Sequence, residues 1–106
     1  MNIQVVNYRS GAQGVNIMRG RSILSNKFRI GRDGTRVDVI AKYRIWLWAQ
    51  MNIPGNALMD ELRTLLHTAR YNTLVLRCCC KPLPCHGDVV KAALEWLSKQ
   101  PTEVLR

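Results

Sequence analysis

Acidic residues are scarce in this chain: seven Asp and Glu stand against sixteen Lys and Arg, a formal net charge of +9 over 106 residues. That imbalance favours polyanions and phosphorylated small molecules as partners. Long apolar runs are missing too, and no stretch approaches the length of a membrane span. A basic-then-apolar leader is also lacking. These two absences together predict a cytoplasmic protein, in a cell or in an infected host, with no membrane partner. The length suits one domain, residues 1–106, with a modest core. No internal repeat is apparent. With 47 % hydrophobic residues and three Trp, the chain is expected to fold.

Aromatic residues are few where the charge is densest. Residues 9–36 carry Arg9, Arg19, Arg21, Lys27, Arg29, Arg32 and Arg36 against the single acid Asp33. Apart from Tyr8 and Phe28, this region has no rings with which to stack nucleic-acid bases. Six of its seven cations are Arg, whose planar fork suits phosphate and carboxylate oxygens. A basic loop of this kind is expected to be an anion site.

The apolar pattern gives an α/β order. Ile3 to Val6 suits a strand, and Val15 to Met18 could supply a second short one in a Gly-punctuated stretch. From about Thr35 a helix is expected, with Val37, Ile40, Ala41, Arg44, Leu47, Trp48 and Met51 at helical spacing and Tyr43 and Trp46 widening the stripe. Pro54-Gly55 stops it. Asn56 caps a second helix with Leu58, Leu62, Leu65, Leu66 and Ala69 on one face, and His67 lies off that line. Thr73 to Cys78 reads as a buried parallel-type strand without alternation, and Asp88 to Lys99 as a closing helix. The predicted architecture is a small single α/β domain, with a short parallel or mixed sheet flanked by helices. Two strands are few for a sheet, so a third within residues 12–32, or pairing across a homodimer, is expected.

All four cysteines lie in the run from Cys78 to Cys85. Adjacent cysteines bridge poorly, and the absent leader favours free thiols. Cys78, Cys80, Cys85 and His86 form a soft-ligand set that could hold zinc, but C-x-C-x4-C-H is not a usual zinc spacing and no cofactor is predicted. Cys85 could be a thiolate activated by a helix start, with His86 or Asp88 beside it as the other catalytic candidates. The bland alternative makes the cysteines packing residues and His86 a hydrogen-bonded helix-start residue. The favoured reading needs no covalent role: free amides around Gly87 and Asp88 bind an anion, and Gly87 admits a ligand to the backbone. Asp88 tempers this, because its carboxylate repels a nearby phosphate and could instead cap the helix.

Asn7, the segment from Gly20 to Phe28, Gly31, Arg36, Val39, Tyr43, Leu47 and the closing run Cys78-Cys79-Cys80-Lys81-Pro82-Leu83-Pro84-Cys85-His86-Gly87-Asp88-Val89 resemble the DUF4326 domain of phages and bacteria. That family's pattern has Asn-Pro-Phe where this chain reads Asn26-Lys27-Phe28, and an aromatic in place of Cys79. The second departure argues that Cys79 is not a required ligand. The C-x4-C-H end is also similar, over a few residues, to DUF488. The resemblance implies a compact α/β domain with its site at two loops, and it supplies no biochemical activity. The expectation is a domain that binds a phosphorylated or nucleotide-like small molecule through Asn7, Arg21, Ser22, Asn26, Arg36 and Gly87. The alternatives are a phage protein that engages a host protein or nucleic acid through a basic face, and a nucleotide-processing enzyme.

Overall fold

The computed structural model describes residues 1–18, 20 and 22–100. Strand β1 (Asn2–Asn7) runs into a 3-10 turn (Tyr8–Ser10), and β2 (Val15–Asn16) follows. Helices α1 (Arg36–Met51) and α2 (Ala57–Tyr71) precede β3 (Thr73–Cys78), and α3 (His86–Leu97) closes the fold. The three strands form a parallel sheet in the order β1-β3-β2. The expected third strand is therefore β2, and it pairs within the chain.

Parallel pairing aligns Ile3 with Leu74, Val5 with Leu76 and Asn7 with Cys78. Residues so paired share a face of the pleat. Ile3, Leu74, Leu76 and Cys78 are buried, whereas Val75 and Arg77, on the opposite face, are only partly covered. The last strand thus alternates, contrary to the expected continuous burial, because one face of the sheet is sealed much more completely than the other. Close approach fixes the β2 side: a Cβ on Gly14 would lie 2.5 Å from the Val75 carbonyl oxygen, so only a hydrogen fits there.

Leu58, Leu62, Leu65, Leu66 and Ala69 of α2 and Val89, Val90, Ala93, Leu94 and Leu97 of α3 are buried in one cluster with the strands. Both helices therefore present the faces their spacing predicts. Helix α1 turns differently. Its buried line is Val39, Tyr43 and Leu47, while Val37 is 77 % exposed and Ala41 and Arg44 also face solvent. The reason is Tyr43, whose ring is fully buried and whose hydroxyl donates to the Leu24 carbonyl at 2.6 Å. Turning α1 toward Val37 would cost this bond and leave a buried carbonyl unpaired. Burial also pushes the Tyr43 phenol pKa up, so it stays a donor.

The ends of the elements are closed locally. Thr35 and Asp38 form a reciprocal capping box on α1, and Asn56 accepts from the Leu58 amide on α2. Among the described residues no helix is long and apolar enough to cross a membrane.

Tyr43→Phe keeps the packed ring but strands the Leu24 carbonyl. Urea unfolding should show a loss of about 1–3 kcal/mol with an unchanged m-value.

Candidate functional site

All three strands end at one edge of the sheet, and every irregular segment of interest leaves from it. Asn7 ends β1, Ile17 and Met18 lead from β2 into the basic segment, and Cys78 leads from β3 into the turn at 79–84. Such carboxyl edges are where open α/β sheets place ligands.

Side chains then pin these segments together. The Asn7 amide donates to the Lys81 carbonyl at 2.7 Å, and the Arg36 guanidinium, at the start of α1, donates to the Pro84 carbonyl at 3.2 Å. His86 is buried, with its Nε2 2.8 Å from the Ile17 carbonyl. A carbonyl only accepts, so Nε2 carries the proton. The imidazole also meets the Tyr43 ring edge-on at 5.2 Å. These contacts join the cysteine-bearing turn to β1, β2 and α1.

The segment after β2 is folded by its own short polar residues. Ser22 Oγ accepts from the Leu24 amide, and Asn26 Oδ1 accepts from the Phe28 amide, each bonding two residues on. Asp33 organises the next turn by accepting from the Arg29 amide and the Arg32 side chain. These donors hold its carboxyl below the usual carboxylate range. Lys27 lies over the rings of Phe28 and Trp46.

Between this segment, the start of α1 and the 79–84 turn lies a cavity of about 360 Å³. Asn26, Arg29 and Arg36 supply its polar lining, and Met18, Phe28, Ile30, Val39 and Ile40 its apolar wall. Cys79, Cys80, Pro84, Cys85 and His86 complete it, and no Asp or Glu is among these lining residues. A second cavity, about 270 Å³ beside Trp48, Ile53 and Trp96, has Arg63 as its cation, already paired with Asp60.

The cavity gathers Asn26, Arg36, Cys80, Cys85 and His86 from the residues singled out in the sequence. Arg21, which was expected to contact the ligand, lies outside the described residues. Asn7 and Ser22 hold the backbone at the site and do not line the cavity. Gly87 is explained by packing: a Cβ there would lie 2.7 Å from Val5 and 3.3 Å from Ile17, so its hydrogen meets the core instead of a ligand. Asp88 accepts from the Cys85 amide at 3.1 Å and pairs with the Lys81 ammonium at 2.5 Å. The start of α3 is therefore closed by its own carboxylate, and α1 is closed in the same way by Asp38. The cations that line the cavity are Arg29 and Arg36. Arg29 was visible only as one of several cations in the basic segment, since nothing in its local spacing marks it out.

The cysteines do not assemble as a ligand set. Among the described residues no group of three or more His, Cys, Asp or Glu is placed to hold a metal. His86 Nε2 is directed to Ile17, and the Cys85 thiol donates to Cys78 across 3.2 Å. In this contact Cys85 is the donor, which runs against the alternative that makes it an activated thiolate. The Cys78 thiol pKa is pulled down, first by the Cys85 hydrogen bond and then by the Cys80 and Lys81 amides. Cys85, the donor to that sulfur, is pushed up. His86 points away to Ile17 and Asp88 caps the helix, so neither is placed as a base for Cys85.

Gly87→Ala should lower unfolding free energy by about 1–3 kcal/mol through overpacking against Val5, whatever ligand is present. Acid titration tests Asp33. Its folded pKa is depressed, so its contribution is full above about pH 4 and is lost as pH falls through the lower folded value. Asp33→Asn should flatten the acid side of a Tm-against-pH curve.

Comparison with known proteins gives one family match: the model described as "Domain of unknown function (DUF4326)" covers residues 3–96. The chain has no match among curated proteins or among solved structures. The matched span runs from β1 almost to the end of α3 and contains the whole cavity, and on that coverage the chain belongs to the DUF4326 family.

Proposed function

We propose that this domain binds a phosphorylated, nucleotide-like small molecule in the cavity at the sheet edge. The observation that carries the reading is the lining itself: two guanidinium-bearing residues and one carboxamide, no carboxylate, and an apolar wall. Arg29 and Arg36 supply forks for phosphate oxygens. Met18, Phe28, Ile30 and Ile40 offer the apolar surface that a planar base would cover. Asn26, whose oxygen is held by the Phe28 amide, turns its amide group toward polar atoms of the ligand.

The charge around the site supports the same reading. Lys27 and Arg32 flank it, and Asp33, the one acid of this segment, is engaged by the Arg29 amide and Arg32. This excess of cations in the segment favours anionic ligands. A covalent enzyme using Cys85 is less well supported, because His86 is bonded to Ile17 and Asp88 caps its helix, so neither is placed beside that thiol as a catalytic base.

Calorimetric titration with nucleoside mono-, di- and triphosphates, the parent nucleosides and inorganic phosphate tests the proposal. Phosphorylated nucleosides should bind at least about tenfold more tightly than the nucleosides. Arg29→Ala should weaken binding by about tenfold or more while leaving Tm unchanged. Arg36→Lys, which keeps the charge and loses the fork, should weaken it less. Equal affinity for nucleosides and nucleotides, or no heat with any of them, would overturn the reading.

A further inference from the structure

Cys78 ends β3 and Cys85 caps α3, so the 79–84 turn starts and finishes at a pair of sulfurs. The two Sγ atoms are 3.2 Å apart, in residues 0 % and 2 % exposed. That separation is only about 1.2 Å longer than a disulfide bond. Packing alone would bury two such thiols away from any reagent. Here Cys85 lies on the wall of an open cavity of about 360 Å³. Cys78 is surrounded by donors: the Cys85 thiol, the main-chain amides of Cys80 and Lys81, and the Lys81 ammonium beyond them. Two sulfurs in contact, donors that favour an anion on one of them, and a cavity beside the other are what a dithiol needs in order to oxidise.

We infer that Cys78 and Cys85 form an oxidisable dithiol, converted to an intramolecular disulfide by a hydroperoxide that enters the cavity. As the Cys85 sulfur attacks the peroxide, the Cys78 thiolate acts as the base and takes the Cys85 proton across the contact. An S–O bond forms and the O–O bond breaks. The departing hydroxide takes the proton from Cys78 and leaves as water when the oxidant is hydrogen peroxide. The Cys78 thiolate then attacks the Cys85 sulfenic sulfur, the S–S bond forms, and a second hydroxide leaves and is protonated by solvent. Each sulfur gives up one electron, and the peroxide takes two. The product staples the end of β3 to the cap of α3 and fixes the turn that walls the cavity. The inference does not rest on the ligand reading, since its readout is covalent.

Cys79 and Cys80 are the internal competitors, with sulfurs 3.9 Å apart. Neighbouring cysteines close a disulfide poorly, and burial and the Cys80 sulfur push the Cys79 thiol up. The test uses fully reduced protein, hydrogen peroxide in slight excess, alkylation under denaturing conditions and intact-mass measurement. The expected product is a monomer that has lost two hydrogens and takes up two alkyl groups in place of four. The Cys79→Ser/Cys80→Ser variant keeps the buried pair and should lose the same two hydrogens, then take up no alkyl group. Cys78→Ser and Cys85→Ser should each abolish that product. Loss of the linkage in the Cys79→Ser/Cys80→Ser variant would overturn the inference. So would a product dominated by cross-linked dimer or by dioxygenated cysteines without an S–S bond.

Discussion

Parallel pairing of β1 and β2 on either side of β3 is the constraint on which the rest of this structure depends. It puts three strand ends at one edge. The 3-10 turn, the basic segment and the cysteine turn must all leave from there. A parallel sheet also obliges the chain to cross back over a face between strands, which here places α1 and α2 between β2 and β3. The start of α1 returns to the same edge, carrying Arg36.

Irregular segments meeting at a sheet edge have main-chain carbonyls that no ladder satisfies, and burying them unpaired would be costly. The fold answers with side chains. Ile17 accepts from His86, Leu24 from Tyr43, Lys81 from Asn7 and Pro84 from Arg36. Each donor comes from a strand end or a helix, so rigid elements hold the loops in place. Some residues that look like ligand contacts in the sequence are therefore also braces. Asn7 spends its amide on Lys81, and Asp88 spends its carboxylate on Cys85 and Lys81. The chemistry left facing the cavity is correspondingly simple: guanidinium, carboxamide, sulfur and apolar surface.

Much of the fold was legible because burial acts on local periodicity. The leucine stripe of α2 and the inner face of α3 follow the helical repeat and are buried as that repeat predicts. The third strand could be anticipated from the apolar residues Val15 to Met18. Helix α1 was misread because its apolar residues surround it, with Val37, Ala41 and Ile45 exposed beside the buried Val39, Tyr43 and Leu47. Such a pattern leaves rotation undetermined, and one hydroxyl bond to Leu24 settles it. The site was legible as two loops. Its members were not, since Arg29 differs from its neighbouring cations only in where it lands.

By itself the sequence determined the α/β order, the helix start near Thr35 and the cap at Asn56, the basic character of the long segment and the concentration of sulfur after β3. These rest on composition and on contacts a few residues apart, which the order of residues specifies directly. Only the tertiary structure decided that Gly87 is a packing residue against Val5 and that Cys78 and Cys85 face each other. Those are contacts between segments brought together by strand pairing, and their distances depend on how the whole chain excludes water.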